Sequence, residues 1–108
     1  MEEEILHLYQ EPAIGASYTN TYGEENIRNL LNKYHSRDNE GMQQMMKIVV
    51  NFSQSTDLAT SFVSVGVLHA LGQNEGVAEA YSWANTQEDA ERIVSHFEIG
   101  KSVADYFS

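Results

Sequence analysis

Thr60-Ser-Phe-Val-Ser-Val-Gly-Val-Leu-His-Ala-Leu71 is the stretch on which the fold of this chain turns. Val63, Val65 and Val67 alternate with Ser64 and Gly66, the period-two pattern of a half-buried strand. Gly72-Gln73-Asn74-Glu75-Gly76 follows with turn chemistry, and then Val77, Glu79, Tyr81 and Trp83 alternate with Ala78, Ala80, Ser82 and Ala84. Two alternating runs about a glycine-bounded turn predict a β-hairpin. The same residues also admit helices, because Leu58, Phe62, Val65 and His69 recur at helical spacing and the alanine-rich 77 to 84 segment has helix propensity. On the hairpin reading the chain is α+β, a small antiparallel sheet packed by about three helices; on the helical reading it is an all-α bundle.

Toward the N-terminus, residues 4 to 10, Glu-Ile-Leu-His-Leu-Tyr-Gln, are rich in strand formers, with Ile5, His7 and Tyr9 on one face, and predict an N-terminal strand. Glu11 to Gly23 holds the only Pro and reads as a loop, where Tyr18 and Tyr22 could cover the core or line a ligand cleft. From Glu24 the spacing of Ile27, Leu30, Leu31 and Tyr34 predicts a helix, with Glu24 and Glu25 at the end where its dipole favours them. Met42, Met45, Met46, Val49 and Phe52 predict a second, although Lys47 to Phe52 is β-branched enough for a strand.

Toward the C-terminus, Thr86 reads as the N-cap of a helix carrying Ala90, Ile93, Val94 and Phe97 on one face, with Gly100 as its stop. Val103, Tyr106 and Phe107 then fall at helical spacing and are expected to dock back on the core, with docking onto a partner as the alternative. No repeat or linker divides residues 1–108, so one domain is expected.

With 108 residues, 42% of them apolar, the chain has enough material for a modest core. Sixteen Asp and Glu against six Lys and Arg give a net charge of −10. Such a surface repels phosphate backbones, so no direct nucleic-acid binding is expected. No apolar run reaches the ~18 residues of a membrane span, Met1-Glu2-Glu3-Glu4 is the wrong charge for a secretory signal, and Cys is absent, which together predict a cytoplasmic protein, in the host cytoplasm if phage-encoded. Between Lys47 and Arg92 there is no basic residue, while Asp57, Glu75, Glu79, Glu88, Asp89 and Glu91 fall in that interval. A uniformly negative field steers a basic partner, and solubility alone would also account for its sign.

Dedicated chemistry is sparse. Ile99-Gly100-Lys101-Ser102 resembles the end of a phosphate loop, but Ser95 stands where the first Gly belongs and too few residues follow to complete the unit. His7, His35, His69 and His96 show no metal-ligand spacing, and no Gly-x-Ser-x-Gly elbow occurs. No cofactor, metal or catalytic residue is expected. The candidate partner-binding residues are Glu75, Glu79, Tyr81, Trp83, Glu88, Asp89 and Glu91: on an exposed strand, Tyr81 and Trp83 would share a face with Glu79, aromatic anchors inside a negative field. An exposed edge strand could also pair across a two-fold axis in a homodimer.

The expectation is therefore a small acidic binding protein, not an enzyme, that inhibits a partner by occupying its basic surface, such as that of a nucleic-acid-handling defence enzyme. In bulk size and charge it resembles phage or mobile-element inhibitors of the anti-CRISPR and anti-restriction type. The alternatives are an immunity or antitoxin protein and a small ligand-binding or enzyme domain using Tyr18, Tyr22, His35 or His69.

Overall fold

The computed structural model describes residues 2–10 and 23–107, and every regular element among them is helical. In chain order these are α1 (Glu2–Gln10), α2 (Glu24–His35), α3 (Asn39–Phe52), α4 (Leu58–Ala70), α5 (Asn74–Ala84) and α6 (Ala90–Ala104), the last continuing into a 3₁₀ turn, Asp105–Phe107. The α+β expectation is overturned, and the all-α alternative stands.

The reason lies in α4. Every residue from Ser61 to Leu68 is buried. A helix covered on all sides has no polar stripe, so its sequence carries no 3.6-residue period to read. The small residues between the valines imitate strand alternation, yet here they let neighbouring helices approach. The serines keep their hydroxyls satisfied inside the helix: Ser64 Oγ donates to the Thr60 carbonyl at 2.9 Å and Ser61 Oγ to that of Leu58 at 3.4 Å.

The expected hairpin turn is a helix stop. Gly72 sits at φ 70°, the Gln73 amide reaches back to the Leu68 carbonyl at 2.9 Å, and the Gly72 amide reaches that of His69 at 3.1 Å. This 6→1 and 5→2 pair is a Schellman motif, which ends α4 with a left-handed glycine. The chain restarts at once as α5, whose Ala80 and Ala84, one turn apart, are fully buried.

The expected N-terminal strand is α1. Ile5 and Tyr9, four residues apart, are its buried face. Lys47 to Phe52 is likewise helical, as the end of α3. That helix begins where Asp38 accepts the Gly41 amide at 2.8 Å. The last helix starts later and ends later than its sequence suggests. Thr86 does not cap it; its hydroxyl donates to the Trp83 carbonyl at 2.6 Å, closing α5 instead. Nor does Gly100 end it, for α6 runs on to Ala104.

Ile93, Phe97, Gly100 and Ala104 form the buried stripe of α6, and this stripe lies along α4. Around the same core α2 contributes Ile27, Leu30 and Leu31, and α3 contributes Met45 and Val49. The Met face is therefore core, as its spacing implies.

Candidate functional site

Helical geometry redistributes the expected binding residues. Glu75 and Glu79 lie one turn apart on the exposed side of α5. Glu88, Asp89 and Glu91 are also exposed, but they sit in the connection after α5 and the first turn of α6, beyond the C-terminal end of α5. Tyr81 and Trp83, two residues apart on a helix, cannot share a face with each other as they would on a strand. Tyr81 turns toward α6: its ring meets Phe97 edge-on at 5.4 Å, its hydroxyl donates to Glu98 Oε1 at 3.1 Å, and Lys101 Nζ lies 5.1 Å from its centroid. Burial, opposed in part by Lys101, raises the Tyr81 pKa. Burial alone would lower that of Lys101, but Tyr81 and Glu98 outweigh it and the net shift is upward. Trp83 is partly buried and packs against the core. The two aromatics are thus helix-packing residues, and no strand edge exists among the described residues for a second copy to extend.

What remains of the expected face is its charge. Five of the six Lys and Arg are engaged elsewhere: Arg28 with Glu24, Lys33 and Arg37 with Glu4, Arg92 with Asp89, and Lys101 with Glu98. Glu75, Glu79, Glu88 and Glu91 have no basic partner among the described residues. Glu75 and Glu79, at i and i+4 on α5, repel each other as like charges.

Two other polar groupings escaped the sequence reading. At the far end of α4, His69 Nε2 lies 2.8 Å from Asp105 Oδ1, joining the C-terminus of α4 to that of α6. Elsewhere, α1 and α2 border an open cleft of about 500 Å³ lined by Glu3, Glu4, His7, Leu8 and Lys33. In it the Glu4 carboxylate receives Lys33 Nζ at 3.0 Å and Arg37 Nη2 at 2.8 Å. The Lys33 hydrogen bond first, and the charges of Lys33 and Arg37 after it, hold Glu4 below the usual carboxylate range. Reading Ile5 and Tyr9 as an i, i+4 pair behind an acidic first turn would have shown α1 to be a helix, but not the partners of Glu4.

Of the residues named for a ligand-binding alternative, His35 is exposed at the end of α2, His69 is the partner of Asp105, and Tyr18 and Tyr22 lie outside the described residues. No group of three or more His, Asp or Glu among the described residues is placed to hold a metal ion. No helix among them is long and apolar enough to cross a membrane. Compared with known proteins, the chain matches no family model, no curated protein and no solved structure.

Proposed function

We propose that this is a binding protein that covers a basic surface of another protein through the acidic edge formed by α5 and the start of α6. The observation that carries this reading is the asymmetry of charge pairing: Glu75, Glu79, Glu88 and Glu91 are exposed with no basic partner among the described residues, while five of the chain's six Lys and Arg pair with other carboxylates, Arg92 with Asp89 of the same edge among them. Unpaired acids at fixed spacing on a helix raise the rate of encounter with a Lys- and Arg-lined groove. Two kinds of partner share that chemistry, a toxin to be neutralised, as by an immunity or antitoxin protein, and a nucleic-acid-handling defence enzyme to be inhibited. Because Tyr81 and Trp83 face inward, the contact is electrostatic rather than anchored on aromatics, and its affinity falls with salt.

The experiment compares the native chain with an E75K/E79K/E88K/E91K variant whose circular dichroism is unchanged, both used to capture partners from the source cell's lysate at low and high salt. A basic nuclease, polymerase or toxin held at low salt by the native chain, and lost from the variant, supports the proposal. The same partner retained by the variant overturns it.

A second reading, a small ligand-binding or enzyme domain, draws on the His69–Asp105 pair, a histidine oriented by a carboxylate at 2.8 Å. Chemical-shift perturbation at His69 on addition of a small-molecule library, abolished in H69Q, would support it; shifts confined to the Glu75–Glu91 region would count against it.

A further inference from the structure

We propose that α1 is a strap that undocks from the bundle as one unit while α2 to α6 stay folded, and that Glu4 is the latch that holds it shut. Its nine residues are fewer than an isolated helix needs to persist in water. Leaving the bundle and melting are therefore one event, without helical intermediates. Among its described side chains only Ile5 and Tyr9 are buried outright, with Leu8 partly buried against the core. Tyr9 adds a hydroxyl contact to Ser64 of α4 at 2.6 Å and an edge-on contact with Phe52 of α3 at 5.0 Å.

The contacts at its two ends are polar. Asn26 of α2, fully buried, donates its side-chain amide to the Leu8 and Tyr9 carbonyls at 3.0 and 3.2 Å, closing the last turn of α1. At the other end Glu4, its side chain 57% exposed, bridges Lys33 and Arg37. Such an exposed bridge weakens with salt, unlike a core contact.

The bundle beneath does not depend on this strap in the same way. The α4–α6 seam is made by Gly66, Gly100, Phe62 and Phe97, with no residue of α1 in it, and α2 has its own start at Gly23. Undocking uncovers the Ser64 hydroxyl, the Phe52 ring and the Asn26 amide together, with Lys33 and Arg37 freed beside them.

Residue-resolved hydrogen exchange on the whole chain tests this. The amides of Leu6 to Gln10 should share one protection factor and one dependence on denaturant, about 100-fold below those of Val63 to Leu68. E4Q should accelerate the α1 group about three- to fivefold and leave α4 unchanged, and K33Q/R37Q should do the same from the other side of the latch. Protection rising residue by residue toward Gln10 would mean fraying instead, and overturns the strap. Equal protection of α1 and α4, or acceleration of both by the same factor, places α1 in the global unfolding unit and overturns it as well. No acceleration in either variant overturns the latch.

Discussion

Gly66 and Gly100 meet where α4 crosses α6, so close that a Cβ built on Gly66 would stand 2.9 Å from the Gly100 carbonyl oxygen. A Cβ on Gly100 would collide with the carbonyl oxygen of Phe62, and neither backbone can swing aside as a side chain could. G100A should cost about 3 kcal/mol or more by overpacking. Gly76 offers the contrast, since its Cβ would make ordinary contact with Leu68 and Val50 side chains at 3.4 to 3.5 Å. G76A should stabilise α5 by about 0.5–1 kcal/mol through helix propensity. Urea unfolding of the two variants separates the crossing from the propensity effect.

Tyr9 should titrate only when α1 leaves the core, whether by undocking or by global unfolding. Burial raises its phenol pKa far above the ordinary value of 10, the Ser64 contact opposing only in part. The unfolded state then releases a proton above pH ~10 while the folded state keeps it, so stability should fall by about 1.4 kcal/mol per pH unit from there upward. Below that pH the term is constant. Y9F should remove the Tyr9 share of this slope, measured against the native chain by denaturant unfolding between pH 8 and 11.5, at a cost near neutral pH of about 1 kcal/mol.

Asn26 is required as a donor, not merely as a polar group. Its contacts to α1 run from the side-chain amide to the Leu8 and Tyr9 carbonyl oxygens. N26A leaves those carbonyls unmet and should cost about 1–3 kcal/mol. N26D, the closest in shape, should cost more, because it sets a buried acceptor against two others. Thermal unfolding of both variants checks the order, which a purely steric role for Asn26 would reverse.

On α5 stability and function should pull in opposite directions. E79K turns a like-charge pair into an ion pair, with Glu75 one turn N-terminal to the new lysine, the favourable orientation, which should stabilise the helix by about 0.5 kcal/mol. If the acidic edge engages a basic partner, the same variant should bind it more weakly and with a shallower salt dependence. Calorimetric melting against surface-plasmon-resonance affinity tests both halves.

How far the chain could be read depended on whether an element keeps one side in water. In α2 and α3 the buried residues Ile27, Leu30, Leu31, Met45 and Val49 stand against exposed Arg28, Asn32, Gln43 and Gln44, and the helical period is plain in the letters. In α4 it is absent because both flanks are covered. In α1, Leu6 and Leu8 beside Ile5 suggested a strand, although Leu6 is 40% exposed and only Ile5 and Tyr9 reach the core. The acidic edge was legible as an interval without Lys or Arg. Its aromatic half was not, since placing Tyr81 and Trp83 beside Glu79 presumed a strand.

By itself the amino-acid sequence determined the charge balance, the negative interval from Asp57 to Glu91, the two periodic helices and the absence of thiol chemistry, because these follow from composition and from elements with one wet face. Tertiary structure alone decided that Thr60 to Ala84 is two helices: Ser64 and Gly66 imitate an alternating strand until α6 and α1 close over them, and only that closure shows why they are small. It also decided the fate of Glu4 and Tyr9, whose partners Lys33, Arg37 and Ser64 lie far along the chain. Local pattern reports the side of an element that faces water; it carries no record of which neighbour lies against a surface that water never reaches.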